Sequence, residues 1–289
     1  MGKYQEEALI LANEGVADTT WRLVLECPRI AAEARPGQFV MLQIREGTDP
    51  LLRRPFSFHR IHPERAVFEI LYRVVGRGTW WLSQTRQGSR VSVVGPLGNA
   101  FRPPDRPGPV AVVGGGIGVA PLYELLHQLA KPSAFFGGAV DIHFFYGTRT
   151  AAEMLPESTF SELNLPVHRS TDDGTAGFCG TVVDLFRRVL EKDRWRPAVI
   201  YACGSLPMQF AVAQWALSRG TPAQLSLESL MACGLGACLG CALPAPDPKA
   251  PNADRYVHVC KDGPIFEAGS IRWNKMQPPP VTPPTFVCV

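Results

Sequence analysis

The 289-residue sequence has no long block of like charge, no internal repeat and no uninterrupted apolar run of membrane-spanning length. Each absence removes a class of function. Its 29 basic and 26 acidic residues leave a formal charge of +3 spread along the chain, too mild and too scattered for a nucleic-acid-binding face. The most apolar region, 109–130, is broken by four glycines and Glu124, so it does not read as a membrane span of about 18 residues. The first thirty residues carry acids where an export signal needs an apolar stretch. The expectation is a cytoplasmic protein that binds neither nucleic acid nor membrane. What is present is a hydrophobic content of 46%, enough for two domains and a small appendage.

Eight cysteines could form four disulfides, but a chain of this length without an export signal favours a metal or redox role. Cys27, Cys179, Cys203 and Cys288 lie far apart, whereas Cys233, Cys238, Cys241 and Cys260 crowd together. The first three of these follow C-x4-C-x2-C, the spacing of plant-type ferredoxins, in which four thiolates hold a [2Fe–2S] cluster. The residues between them, GLGA and LG, leave room for backbone amides to approach the sulfides. A zinc site is the main alternative, but it usually shows two C-x2-C pairs; a set of reduced, buried thiols is the other.

Residues 16–94 contain short alternating runs such as WRLVLE, QFVMLQI and VFEILYRVV between turn residues, with one helical stretch at 78–86. This pattern predicts an antiparallel β-barrel. After the proline-rich linker 101–109, buried strands (PVAVV, VDIHFFY, PVHRS, AVIYAC) alternate with helices, among them 182–192 and 208–219. Such alternation predicts a doubly wound parallel sheet. From Ser226 onward neither period holds, so that portion is expected to be organised by something other than a hydrophobic core. The fold class is therefore β plus α/β: a barrel domain over 1–103, a nucleotide-binding α/β domain over 104–225, a [2Fe–2S] subdomain over 226–270 and a proline-rich extended tail over 271–289.

In PVAVVGGGIGVAPLYELLHQLA an apolar strand meets a helix through Gly114, Gly115, Gly116 and Gly118. Glycines let backbone approach a pyrophosphate at a helix start. The run is not a strict G-x-G-x-x-G, and a tight strand-to-helix turn reads the same way. A second strand-to-helix corner, Cys203 and Gly204 in YACGSLPM, falls at the carboxyl edge of the sheet, where doubly wound folds bind ligands; simple burial of Cys203 is the bland reading. Asp172 and Asp173 follow the strand PVHRST. An acid beside the adenine ribose favours NAD over NADP without excluding NADP, and a turn or N-cap aspartate is the equal alternative. RRPFSF (53–58) offers charge, an aromatic face and a hydroxyl suited to a flavin, although a proline-bearing edge strand accounts for it equally.

Taken in order, RPFS, LYRVVGRGT, GPLGN, GGGIGVAPL, YACGSLPM and ACGLGACLGC resemble the electron-transfer subunits of NAD-dependent dihydroorotate dehydrogenases, within the ferredoxin-reductase superfamily. The resemblance covers about residues 10 to 270. It implies that Arg54, Pro55, Phe56 and Ser57 contact FAD, with Leu71, Tyr72 and Arg73 lining it and Gly78 and Thr79 at its pyrophosphate. It further implies that the glycine loop and the Cys203–Gly204 corner bind nicotinamide, and that Cys233, Cys238, Cys241 and Cys260 ligate the cluster. No residue is expected to perform acid–base chemistry on orotate. The 241–260 loop, the pair Trp80 and Trp81, and the tail depart from the family pattern; the tryptophans are read as barrel packing.

Nicotinamide exchanges electrons in pairs and an iron–sulfur cluster singly, and flavin bridges the two. The implied partner is an FMN-containing dihydroorotate dehydrogenase catalytic subunit, in a heterotetramer serving pyrimidine biosynthesis. The competing readings are the small subunit of another complex (an NADH-dependent ferredoxin:NADP oxidoreductase, a hydrogenase or a sulfite reductase) and, from a different class, a zinc-binding interaction protein without catalytic activity.

Overall fold

A computed structural model describes residues 2–131, 140–192 and 194–276; of the extended tail expected over 271–289, residues 277–289 lie outside them, whereas the first part is not a tail, because Ile271 and Trp273 are buried in a hydrophobic core. Strands β1 (Tyr4–Ala17), β2 (Thr20–Glu26), β3 (Phe39–Leu42), β4 (Arg54–Ser57), β5 (Arg60–His62), β6 (Val67–Arg73) and β7 (Arg90–Leu97) form one antiparallel sheet in the order β4-β3-β7-β1-β2-β6-β5. The sheet curls around a core that includes Ile10, Leu23, Leu25, Phe58, Phe68 and Ile70. Its end strands β4 and β5 are not paired with each other, so the expected barrel is a half-barrel. Along β2 the buried positions alternate through Leu23 and Leu25, as one covered face requires. Strand β6 is instead buried at every position but Arg73, because the second domain covers its outer face.

The sequence reading began the barrel near Val16 and missed most of β1, the sheet's central strand. Its glutamates and the register shifts at Ile10/Ala12 and Gly15/Ala17 break the two-residue period. A short helix, α1 (Pro28–Glu33), adds Ile30 and Ala31 to the core. The stretch expected to be helical at 78–86 forms α2 (Arg77–Ser83). Trp81 packs against the barrel core and under the Arg45 guanidinium, 4.1 Å from its ring centroid. Trp80 is 47% exposed, so barrel packing explains only one of the two tryptophans.

The second domain is built on a sheet of β8 (Val110–Gly115), β9 (Ile142–Thr148), β10 (Val167–Thr171), β11 (Phe178–Cys179), β12 (Val199–Cys203) and β13 (Ala223–Ser226), all parallel, in the order β11-β10-β9-β8-β12-β13. Their side chains alternate between two cores. Val110, Val112, Phe144 and Tyr201 pack with helix α3 (Val119–Leu129) on one face. Ala111, Val113, Phe145 and Ile200 pack with α4 (Val182–Lys192) and α5 (Leu206–Arg219) on the other. Cutting a buried ring such as Phe144 to alanine costs about 3–5 kcal/mol.

The segment after Ser226 is not without a hydrophobic core. Strands β14 (Ala242–Asp247) and β15 (Ala250–His258) make an antiparallel hairpin whose Leu243, Ala245 and Val257 join the core shared with α4 and α5. After α6 (Val259–Asp262), β16 (Ile265–Glu267) adds an antiparallel edge strand to the parallel sheet. Among the described residues no helix is long and apolar enough to cross a membrane.

Candidate functional site

Two clefts meet where the domains adjoin. The larger, about 730 Å³, lies along the carboxyl edge of the parallel sheet, lined by Gly115, Gly116 and Gly118 after β8, Gly147 to Arg149 after β9, Asp172 after β10, and Gly204 and Met208 after β12. This is where open α/β sheets take ligands. Gly118 is required by proximity: a Cβ there would lie 2.5 Å from the Cys203 carbonyl carbon and 2.6 Å from the Gly204 nitrogen. The two glycine corners predicted from sequence are thus in backbone contact. Gly114 and Cys203 themselves do not line the cleft but lie beneath it, buried. Burial pushes the Cys203 thiol well above its ordinary range, so it stays a neutral thiol.

The second cleft, about 450 Å³, is lined by Arg54, Pro55, Phe56, Ser57, Leu71, Tyr72, Arg73 and Thr79 from the barrel. Every predicted flavin residue except Gly78 is on its wall. Gly78 lies behind Arg54, whose Nε would be 3.2 Å from a Cβ at that position. Arg54 donates to the Leu52 carbonyl at 2.6 Å and makes no ion pair among the described residues, leaving its charge available to an anion. Strand β4 is an edge strand, so Pro55 removes no ladder bond from a central position. The Thr79 hydroxyl accepts from the amides of Val75 (3.0 Å) and Gly76 (3.3 Å), which fixes the turn into α2. Phe56 meets Tyr72 edge-on with centroids 5.9 Å apart, and Tyr72 donates to Asn13 at 2.9 Å.

Three residues line both clefts: Arg73, Ile117 and Glu228. Arg73 is held 3.5 Å from Glu153. Glu228 is reached by solvent through the open clefts yet closely surrounded by protein, and this desolvation raises its carboxyl above the ordinary range. Sequence reading missed Glu228, although it lies two residues beyond β13, at the same sheet edge as the Cys203 corner.

From Ser226 the chain runs along the smaller cleft through Leu227, Glu228, Ser229 and Met231, and two residues later reaches Cys233. Cα atoms two residues apart are at most about 7 Å apart, so the cysteine loop adjoins the cleft wall. The loop also packs on the barrel: Gly234 has φ +69° and faces the Met41 side chain, with Sδ 2.8 Å from where a Cβ would stand. Met41 is opposite Pro55 in the β3–β4 ladder.

The four predicted cysteines come together as two pairs. Cys241 and Cys260 have their sulfurs 3.3 Å apart, and the Cys238 amide donates to the Cys233 sulfur at 3.4 Å. The Leu235 amide also points at Cys233 (3.4 Å), and the Gly236 amide at Cys260 (3.1 Å). Backbone amides from Cys238 and Leu235 lower the Cys233 thiol to about 6, whereas burial and the neighbouring Cys241 raise Cys260 to about 12. Cys238 is exposed, Cys233 intermediate, and the other pair buried. Among the described residues no three Cys, His, Asp or Glu side chains converge as a single-ion site; the thiols meet two and two, as each iron of a [2Fe–2S] cluster takes two cysteines.

Comparison with known proteins agrees with this layout. Residues 228–272 match the iron-sulfur cluster binding domain of dihydroorotate dehydrogenase B, and residues 112–214 the oxidoreductase NAD-binding domain. The chain is 37% identical over 269 residues to the dihydroorotate dehydrogenase B (NAD(+)) electron transfer subunit of Desulforamulus reducens, covering 93% of this chain and 98% of that one. It is 38% identical to the corresponding subunit of Geobacillus thermodenitrificans, covering 92% and 98%. Among solved structures, it resembles the NADH-dependent reduced ferredoxin-NADP oxidoreductase described for flavin-based electron bifurcation, with a TM-score of 0.78 and 28% identity over 92% of this chain and 90% of that one. A ferredoxin reductase of carbazole 1,9a-dioxygenase shares the fold, with a TM-score of 0.63 at 21% identity over 76% and 67% of the two chains. The chain belongs to the family of dihydroorotate dehydrogenase B electron transfer subunits.

Proposed function

We propose that this chain passes electrons between NAD(H), held in the larger cleft, and a dihydroorotate dehydrogenase catalytic subunit, by way of FAD in the smaller cleft and a [2Fe–2S] cluster on the cysteine loop. The observation that carries the reading is the single segment 226–233, which joins the meeting point of the two clefts to the first cluster cysteine. When bound, flavin supplies the conversion between paired and single electrons.

The chain's own residues fit these groups. Arg54 offers an unpaired guanidinium to the FAD phosphates beside the backbone of Gly78 and Thr79. Phe56, Ser57, Leu71 and Tyr72 supply an apolar wall with one hydroxyl for the ring system, and Arg73, Ile117 and Glu228 stand where nicotinamide would face it. The Gly115–Gly118 turn gives backbone access to the dinucleotide pyrophosphate. Cys233, Cys238, Cys241 and Cys260 would hold the cluster, which supplies single-electron transfer. The exposure of Cys238, with Leu235 46% and Leu239 57% exposed beside it, supports a cluster on the outer side of the loop that is open to a partner. That partner is an FMN-containing subunit, assembled with this chain as a heterotetramer, and it carries the chemistry on dihydroorotate.

The test is reconstitution. The loaded chain mixed with the catalytic subunit forms orotate from dihydroorotate with NAD, and neither chain does so alone. Oxidation of dihydroorotate by this chain by itself would refute the reading. The likeness to the bifurcating oxidoreductase favours a second reading, the same module in another complex; a co-purifying partner that does not act on dihydroorotate would select it.

A further inference from the structure

Strand β3 is buried at all four positions, although an antiparallel sheet with one core commonly leaves its other face to solvent. Side chains along a strand point alternately to its two faces. Val40 and Leu42 enter the barrel core, whereas Phe39 and Met41 belong to the same buried core as Cys241 and Cys260. The cysteine-bearing segment therefore covers the outside of the barrel at this strand. Phe39 also lines the smaller cleft. Met41, two residues further along the same face, is 1% exposed and stands opposite Pro55 on strand β4, which forms part of the cleft wall.

Among the described residues 228–240, Gly234 alone is buried. What covers it is Met41: the Met41 Sδ and Cε lie 2.8 and 3.4 Å from where a Cβ on Gly234 would stand, and the nearest atoms to that point all belong to Met41. The glycine lets the loop backbone approach this closely, at a left-handed φ of +69°. Methionine, unbranched and with three rotatable bonds, fills such an irregular gap well. Gly234 follows Cys233 directly in the chain, so the place that Met41 gives to the glycine is passed to the first cluster cysteine through one rigid peptide unit.

Resting on the reading that the smaller cleft holds FAD and the loop its cluster, we propose that Met41 is a positioning residue for the passage of single electrons between them: through Gly234 it sets how far the first cluster cysteine stands from the flavin cleft. The electron leaves the flavin, which is oxidised, and enters the cluster, which is reduced; no bond forms or breaks between the two groups. Such a step depends steeply on separation, and a misplacement of about 1 Å in a reacting geometry can cost up to about 100-fold in rate. Shortening Met41 removes the surface on which the loop rests without touching a cluster ligand or a residue of the flavin cleft wall.

The test uses the complete chain carrying its flavin and cluster. A viologen radical generated by a radiolytic pulse delivers one electron, and absorbance of the two groups is followed as that electron equilibrates between them, which reads the internal step apart from NADH. Met41→Ala slows the internal step by about tenfold or more, and Met41→Leu, which conserves volume, restores it. Bleaching of the flavin by NADH and the reduction potential of the cluster stay at their wild-type values in both. Leu25→Ala, a truncation in the barrel core, lowers the melting temperature and leaves the internal rate in place. Met41→Val, a smaller truncation, carries the same test should Met41→Ala not retain its iron, with a slowing between those of the other two. Internal rates equal to the wild type in the truncated variants overturn the assignment while leaving the cofactors' identity intact, as does a slowing that a shifted cluster potential accounts for. A wild type that takes up no flavin or no iron overturns the reading of the cleft and the loop, and the assignment with it.

Discussion

Gly118→Ala tests whether the glycine loop is dictated by contact with the β12 corner. The added methyl would meet the Cys203 carbonyl group and the Gly204 nitrogen, with 2.5 and 2.6 Å to carbon and nitrogen. Backbone cannot rotate away as a side chain can, so the loop or the corner must move. Overpacking of this kind costs about 1–3 kcal/mol, and the rigid obstacle places this case near the upper figure. For a chain of this size that lowers the melting temperature by roughly 6–12 °C. The neighbouring glycines supply internal controls. At Gly115 the methyl meets the Met208 sulfur at 2.5 Å, the far part of a flexible side chain, and at Gly116 it meets nothing within 4 Å but must accept φ +55°, a cost of about 1–2 kcal/mol. Melting followed by circular dichroism, together with the NADH concentration needed to bleach the flavin, should rank Gly118→Ala as the most damaging on both measures. A Gly118→Ala protein that melts no lower than Gly116→Ala and responds to NADH as the wild type does would refute the contact argument.

Three further perturbations separate the parts. Cys238→Ser should spare flavin reduction by NADH and abolish transfer to an external one-electron acceptor, read by absorbance in the two assays; loss of both would make the loop a structural support. Arg54→Ala should weaken FAD retention by roughly 10–100-fold, the worth of a charged hydrogen bond, measured as flavin released on dilution, while the fold persists by circular dichroism. His59 is fully buried against Tyr123 and the Ala120 carbonyl, and burial lowers its imidazole to about 3. The unfolded chain therefore binds a proton that the folded chain refuses once pH falls below the ordinary histidine range of about 6.5. Stability should fall by about 1.4 kcal/mol per pH unit from there towards pH 3, and His59→Gln should flatten that slope in urea titrations; an unchanged slope would contradict the assignment.

Much of this architecture was legible in the sequence because the parallel sheet, buried on both faces, writes itself as continuous apolar strands, and because the cysteine spacing reflects a local loop. The rest lay in contacts between distant segments. Strand β1 hides behind Glu6, Glu7 and Glu14 and two register shifts. The β14–β15 hairpin carries Pro244 and Pro246, which read as loop until its alternate residues are seen to enter the α4–α5 core. Glu228 gains its importance only when β13 brings it between the clefts, and Met231 only when the following chain reaches the wall of the smaller one. Asp172 and Asp173 are indistinguishable as letters; in the fold Asp173 accepts from Thr175, whereas Asp172 lines the larger cleft.

The central claim is that nicotinamide, flavin and cluster positions form one conducting line inside this chain. Low-temperature electron paramagnetic resonance of the anaerobically reconstituted chain after addition of NADH tests it most directly. The account predicts bleaching of the flavin together with the signal of a reduced [2Fe–2S] cluster. Bleaching without that signal in the iron-loaded wild type, or a chain that takes up no iron at its four cysteines, would contradict it.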